Sequence, residues 1–255
     1  SNATLPLTWK SQIKKLQVEN AGFKPDLVVT DFEPLGVLFS RSTGAKFIGV
    51  FGVEPKSFEE FFSQRKGTVL FHRMQANYLR NMYKAGSVYG EGVIVPSITK
   101  AKSSEKIKIV DLITRESKEK SSLGKGKIVI ILGGSTFGTA LGKILLKVLP
   151  KIEEDFVIFG FDKPKEKIEN VEFKPISGEA LQYIKNSRGV ITLAGHTTIS
   201  EALVFRKPLL SFPIPNHIEQ EYNGYILRKN KLGTVKELQT WSKEQYLIEC
   251  INEFL

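Results

Sequence analysis

Short apolar runs alternate with amphipathic segments along the chain, and this alternation predicts the secondary structure. Brief apolar runs bounded by turn residues are typical of strands buried in a parallel sheet, whereas apolar residues at helical spacing indicate helices. The predicted strands cover residues 26–30, 46–51, 92–95, 127–132, 156–161, 171–173, 190–193 and 208–212, and the apolar patch at residues 107–113 is a candidate for a further strand. The predicted helices cover residues 9–20, 35–42, 58–62, 68–84, 137–148, 179–186 and 242–254, with two more after residues 196 and 223. Such strand–helix alternation predicts an α/β fold.

A Lys- and Ser-rich stretch interrupts this alternation near the middle of the chain. Residues 116–126 lack apolar periodicity and end in the sequence SSLGKG, which is typical of a linker. The flanking segments, residues 1–115 and 127–255, are each long enough to bury a core, and 41% of all residues are hydrophobic. We therefore expect two Rossmann-like α/β domains that face each other across a cleft.

The net charge and the cysteine content limit which binding partners and which cellular compartment we expect. The formal net charge is +10, which favours anionic partners such as nucleotide phosphates, nucleic acid or an acidic membrane surface, although a solvated lysine-rich surface explains it equally well. The single cysteine, Cys250, excludes an intramolecular disulfide and fits a reducing cytoplasm, where we expect it to pack as a small apolar residue on the last helix. No apolar run is long enough to cross a bilayer.

The most informative turn follows the predicted strand at residues 190–193. Gly195 lets the backbone approach a ligand, and the helix that follows begins with His196, Thr197 and Thr198. The free N–H groups of a first helical turn attract anions, so the turn is suited to the phosphate of a phosphate ester. A turn of this kind is also common where no ligand binds, so the neighbouring residues must distinguish a phosphate-binding turn from a purely structural one.

Polar residues suited to sugar hydroxyls lie near this turn in the sequence. Glu201 stands one helical turn further on, where a carboxylate can accept paired hydrogen bonds from vicinal hydroxyls such as those of a ribose. The predicted strand at residues 208–212 then delivers a second polar group to the same sheet edge. This group consists of Asn216, His217, Glu219 and Gln220.

A second strand, glycine turn and helix unit opens the C-terminal half. The strand at residues 127–132 runs into Gly133, Gly134, Ser135 and Thr136 before the next helix. Two adjacent glycines are a weak signal alone, but a strand followed by a helix is the setting that a phosphate-binding turn requires.

Two acidic residues follow the first predicted strand. Asp31 and Glu33 lie at its carboxyl end, the edge at which open parallel sheets bind ligands. Either side chain could bind or deprotonate an acceptor hydroxyl. The alternative is that Asp31 only caps the helix that follows.

The segments AGHTTISEAL, KPLLSFPIP and EQEYN resemble the nucleotide-sugar-binding half of GT-B glycosyltransferases of family 28. That family includes the glucosaminyltransferase that makes the lipid-linked peptidoglycan precursor and the monogalactosyldiacylglycerol synthases, and uncharacterised archaeal members are especially similar. The resemblance implies that both turns, residues 133–136 and 195–198, hold the donor diphosphate and that Glu201 binds the ribose. It also implies a base-binding loop and a donor-sugar group. The base-binding residues are Lys174, Pro175 and Ile176, and the donor-sugar residues are Asn216, Glu219 and Gln220.

The resemblance implies a hexosyltransferase that acts with inversion and needs no metal or other cofactor. Such an enzyme moves a sugar from a nucleotide donor, most often a UDP-sugar, to a lipid or other membrane-proximal acceptor. The three histidines and the cysteine are scattered, in keeping with the absence of a metal cluster. We therefore expect a cytoplasmic protein in peripheral contact with the inner face of an anionic membrane. His196 is the candidate that would take the place of the family's general base, because a neutral imidazole can accept a proton.

Family members begin with a strand and a glycine- and histidine-bearing loop, and no such loop precedes residue 9. The resemblance thus implies an incomplete acceptor-side domain and weak or absent turnover. Two alternatives stay open. The same donor site would also serve a nucleotide-sugar hydrolase or epimerase, and the net charge would suit a basic protein that binds nucleic acid or membranes. The sequence contains no nucleic-acid recognition motif, so we expect no nucleic-acid partner.

Overall fold

The computed structural model describes residues 5–19, 21–65, 70–116, 121–238 and 244–255. The chain divides into two compact units, Ser1–Asp111 and Leu112–Leu255, called here the first and second units. Each contains a parallel sheet, and helices connect most of the successive strands, so the predicted α/β class is confirmed. Part of the predicted linker, residues 117–120, lies outside the described residues, and residues 121–126 form turns without a helix or strand.

The first unit contains a four-stranded parallel sheet in which the strands follow one another in sequence order. Its strands are β1 Leu27–Asp31, β2 Lys46–Val50, β3 Gly92–Pro96 and β4 Ile107–Val110. Its helices are α1 Leu5–Glu19, α2 Pro34–Thr43, α3 Pro55–Ser63 and α4 Leu70–Lys84, and a π-helical turn at Ala85–Tyr89 follows α4. The strands β2 and β3 alternate apolar side chains into a core around Phe47, Phe51 and Val93.

The second unit contains a six-stranded parallel sheet in the order β10-β9-β8-β5-β6-β7. Its strands are β5 Ile128–Ile131, β6 Phe156–Phe159, β7 Val171–Lys174, β8 Gly189–Thr192, β9 Leu209–Ser211 and β10 Thr234–Val235. Its helices are α5 Thr136–Val148, α6 Ala180–Asn186, α7 His196–Val204, α8 Ile218–Lys229 and α9 Glu244–Phe254, with a 3-10 turn at Leu149–Lys151. The central strands read as continuous apolar runs because helices cover both faces of such a sheet.

The strand order reverses direction between β5 and β8. From β5 the chain adds β6 and β7 on one side, then returns to place β8, β9 and β10 on the other. Ile131, the last residue of β5, pairs with Thr192, the last residue of β8. Open α/β sheets bind ligands in the crevice beyond the carboxyl ends of the strands at such a reversal. The turns that follow β5 and β8 therefore begin side by side at the binding edge.

The observed elements differ from the predicted ones in a few places. The helix expected after residue 223 begins earlier, at Ile218, where the His217 side chain accepts a hydrogen bond from Gln220 N at 3.4 Å. Histidine is not among the usual capping residues, so no start signal marks residue 217 in the sequence. The short edge strand β10 and the π-helical turn were not predicted. Cys250 is buried on α9, as expected.

Within the described ranges, every helix is too short or too polar to cross a lipid bilayer.

Candidate functional site

The turn between β8 and α7 presents an uncapped helix start. Ala194 has a φ of 62°, a left-handed conformation that is unusual for a residue other than glycine. Gly195 is the N-cap with a φ of −69° and offers no side chain to the first-turn N–H groups. A Cβ atom on Gly195 would meet nothing within 4 Å. The N–H groups that open α7 are therefore left to bind an anion.

The turn between β5 and α5 has a different construction. Gly133 and Gly134 have φ values of 67° and 66°, which favour glycine. The Ser135 hydroxyl accepts a hydrogen bond from Gly138 N at 3.0 Å and so caps α5, while its own hydrogen stays available to a ligand. A Cβ atom on Gly138 would lie 2.2 Å from the Leu132 carbonyl oxygen, so α5 packs tightly against the end of β5.

Glu201 is buried on α7, and its side chain is only 3% exposed. Its Oε1 atom accepts hydrogen bonds from Arg115 Nε at 3.0 Å and from Arg115 Nη2 at 2.8 Å. Arg115 belongs to the irregular segment at the start of the second unit, and its side chain is half exposed. Sequence reasoning did not find Arg115, because an arginine in an irregular, charged stretch carries no signal that it contacts a residue so far along the chain.

His196 is the first residue of α7. Both ring nitrogens are buried, and none of the described residues lies within hydrogen-bonding distance of either. Burial lowers the pKa of His196 below its ordinary value. A neutral imidazole beside the helix start keeps one donor and one acceptor free for a ligand.

The loop after β7 reaches the glycine turn. The Ile176 side chain is 63% exposed, and its Cδ1 atom lies 3.5 Å from where a Cβ atom on Gly134 would be. The Lys174 ammonium is instead engaged in an ion pair with Glu172 at 3.2 Å. An exposed apolar side chain therefore lies over the glycine turn, whereas the Lys174 side chain is held by Glu172.

Helix α8 carries the predicted donor-sugar residues in and before its first turn. Gln220 Oε1 accepts a hydrogen bond from Ile214 N at 3.0 Å, and Glu221 Oε1 accepts one from Asn216 N at 2.9 Å. Deeper in the same helix, the fully buried Asn223 donates from Nδ2 to the Ala194 carbonyl oxygen at 3.0 Å. Helix α8 is thus joined to the turn that opens α7.

The acidic candidates of the first unit have different roles in the structure. Glu33 is the N-cap of α2 and accepts a hydrogen bond from Leu35 N at 3.0 Å, so the alternative that Asp31 caps this helix is wrong. Asp31 is the last residue of β1, and partial burial raises its pKa. Between them, Phe32 stacks on Phe51 and accepts a hydrogen bond from the Tyr78 hydroxyl at 2.5 Å. Burial, reinforced by Glu33, raises the pKa of Tyr78 to about 12.

Among the described residues, no three His, Cys, Asp or Glu side chains come together in a way that could hold a metal ion.

Comparisons with known proteins agree on the kind of protein. The family model described as "Glycosyl transferase family 1" matches residues 1–250. An uncharacterized glycosyltransferase of Methanosarcina acetivorans is 28% identical over 273 residues, which cover 98% of this chain and 67% of the relative. Another, of Methanosarcina mazei, is 27% identical over 257 residues, which cover 91% of this chain and 65% of the relative. The chain thus spans about two thirds of the length of these relatives.

The fold is also shared with solved structures. The spinosyn rhamnosyltransferase SpnG, described as complexed with thymidine diphosphate, matches with a TM-score of 0.64 at 13% identity, covering 97% of this chain and 70% of that structure. At this identity the likeness shows the fold alone, which is the GT-B fold expected from the sequence.

Proposed function

Because the chain belongs to glycosyl transferase family 1, we propose that it transfers a sugar from a nucleoside diphosphate donor to an acceptor hydroxyl. One observation carries the proposal. The two strand-to-helix turns that begin at Ile131 and Thr192 lie side by side where the strand order of the second unit reverses, and a buried carboxylate stands on the helix that follows one of them. This combination suits a ligand with a diphosphate joined to a sugar.

The diphosphate would lie against the two turns. The open N–H groups of α7, with the hydroxyls of Thr197 and Thr198, can donate to phosphate oxygens, and the turn at Gly133–Thr136 adds further donors from the neighbouring strand. A leaving diphosphate gains negative charge as its bond to the sugar breaks. Fixed N–H and O–H donors that are already aimed at that charge lower the barrier to transfer.

The nucleoside would extend from the diphosphate towards Glu201 and Ile176. The Glu201 carboxylate would accept a ribose hydroxyl, while the Ile176 side chain and the backbone of Lys174 and Pro175 would contact the base. We propose uracil as the base. The nucleotide named for SpnG is thymidine diphosphate.

The donor sugar would contact Asn216, Glu219 and Gln220 at the start of α8. The amide nitrogen of Gln220 is suited to donate to a sugar hydroxyl, because its carbonyl oxygen is held by Ile214 N. The proposal that this sugar is a hexose, as in family 28, rests on the sequence motifs.

The transfer is proposed to invert the anomeric centre. The acceptor oxygen forms a bond to the anomeric carbon on the face opposite the diphosphate as the bond to the diphosphate breaks, and the acceptor proton passes to a base. Asp31 is the proposed base, because its raised pKa favours proton uptake. Glu33 would orient the same loop, and His196, neutral and unpartnered, is the substitute base.

A lipid or other membrane-proximal acceptor is proposed for the same protein. Helix α4 of the first unit exposes Leu70, Phe71 and Met74, and Arg73 stands among them. Exposed apolar side chains beside basic ones suit peripheral contact with an anionic membrane, in keeping with the net charge of +10.

A thermal shift experiment tests the donor site. Saturating UDP should raise the melting temperature of the chain, and Glu201→Ala should abolish the rise. Glu169→Ala is the matched control, since Glu169 is an exposed surface carboxylate that should leave the rise unchanged. Unchanged melting curves with UDP, GDP, thymidine diphosphate and their sugars would reject the proposal.

A further inference from the structure

The two oxygens of the Glu201 carboxylate are not equivalent. Both hydrogen bonds from Arg115 fall on Oε1, at 3.0 Å from Nε and 2.8 Å from Nη2. None of the side chains that the structure describes donates to Oε2. One oxygen of the carboxylate is therefore committed to the protein, and the other stays available to a ligand.

Arg115 is not easily displaced from this position. The Glu201 side chain is 3% exposed, and a buried carboxylate that loses its only cationic partner bears a large desolvation cost. A neutral sugar hydroxyl cannot replace the positive charge of a guanidinium. The ion pair should therefore persist when a nucleotide binds.

This geometry changes what Glu201 can recognise. A ribose presents two vicinal hydroxyls, and a carboxylate binds them side by side when each of its oxygens accepts one of them. The two hydrogen bonds from Arg115 use both lone pairs of Oε1, so this side-by-side arrangement is closed to Glu201, and Oε2 is left to accept one hydroxyl. The 3′-hydroxyl is present in both ribose and 2′-deoxyribose, so a single contact does not require the 2′-hydroxyl.

We propose that Arg115 is a specificity-determining residue that limits Glu201 to one sugar hydroxyl, so that the site accepts 2′-deoxyribonucleoside diphosphates about as well as ribonucleoside diphosphates. The inference rests on the proposed donor site. It extends the substrate class to deoxynucleotide-linked sugars, and it assigns a role to a residue that does not itself contact the nucleotide.

The test compares UDP with 2′-deoxy-UDP by isothermal titration calorimetry on the wild-type chain. The two dissociation constants should differ by less than about fivefold, because a missing hydrogen bond to a charged group would cost about tenfold or more. Arg115→Met keeps a long side chain but removes the donors and frees Oε1. In this variant UDP should bind about tenfold more tightly than 2′-deoxy-UDP.

The matched control is Arg188→Met. Arg188 also pairs with a glutamate, Glu154, but it precedes β8 at the end of the strand away from the turn. This variant should keep the wild-type ratio. A purely structural role for Arg115 would weaken both nucleotides equally and leave the ratio unchanged, which overturns the proposal.

The remaining outcomes distinguish the role of Arg115 from the nucleotide site itself. A wild-type preference for UDP above about fivefold overturns the role of Arg115 but leaves the nucleotide site standing. Failure of both nucleotides to bind the wild-type chain overturns the proposed function as well. A wild-type preference of this size overturns the role of Arg115 even if Arg115→Met does not fold.

Discussion

Asn223 on α8 donates its side-chain amide to the carbonyl oxygen of Ala194, 3.0 Å away in the turn before α7. Ala194 has a φ of 62°, a conformation that costs an alanine about 1 kcal/mol or more. The hydrogen bond helps to hold this carbonyl, and with it the open N–H groups that follow. A buried side chain thus shapes the turn without facing the ligand.

Replacing Asn223 should therefore affect both stability and binding. Asn223→Ala should lower the free energy of unfolding by about 1–3 kcal/mol, because a buried carbonyl loses its donor, and should weaken UDP binding because the turn is held less firmly. Urea denaturation and calorimetry measure the two effects. Asn230→Ala is the control, since Asn230 donates to Ile226 O near the exposed end of the same helix. Equal losses in the two variants would contradict this role.

Gly195→Ala separates ligand contact from folding. A Cβ atom at this position meets no protein atom within 4 Å, and its φ of −69° suits alanine, so the free energy of unfolding should fall by no more than about 1 kcal/mol, the preference for glycine over alanine at an N-cap. A bound diphosphate would meet the added methyl group, and the affinity for UDP should fall by about tenfold or more. Gly178→Ala, in similarly open space, should change neither quantity. Undiminished affinity in Gly195→Ala would place the phosphate elsewhere.

His196 should make stability depend on pH. Burial lowers its pKa in the folded chain, so the unfolded chain takes up a proton at a higher pH than the folded chain does. The free energy of unfolding should fall as the pH drops below about 6.5, by at most about 1 kcal/mol between pH 7 and pH 5.5. In His196→Gln this component is absent, so the stability of the variant relative to wild type should rise as the pH falls over this interval. Parallel pH profiles for the variant and the wild type would show that folding leaves the pKa of His196 unchanged.

The two acidic residues after β1 should respond differently to mutation. Asp31→Asn should slow sugar transfer by about 100-fold, the typical contribution of a general base, and leave UDP affinity within about twofold. Glu33→Ala should lower the free energy of unfolding by about 1 kcal/mol, because α2 loses its cap. UDP release from a UDP-sugar with a lipid extract as acceptor measures transfer. An undiminished rate of transfer in Asp31→Asn would show that Asp31 is not the general base.

The sequence by itself determined the α/β class and most of the elements in the second unit. Apolar runs such as residues 128–131 and 156–159 predict buried strands, because they are short and consist of β-branched and aromatic residues. The turn residues that follow each apolar run likewise predicted both strand-to-helix turns. Helix starts were found where a hydroxyl or glycine marked them, and α8 was placed too late because His217 caps it.

Only the tertiary structure decided which of these turns are neighbours and what Glu201 contacts. The strand order brings Ile131 beside Thr192 although 60 residues separate them, because β8 returns past β6 and β7 to pair with β5. The Arg115–Glu201 pair and the Asn223–Ala194 hydrogen bond likewise join positions far apart in the chain. Hydrophobic periodicity is a local signal, whereas these contacts arise from packing between elements, so the residues that tune the site were absent from the sequence-based prediction.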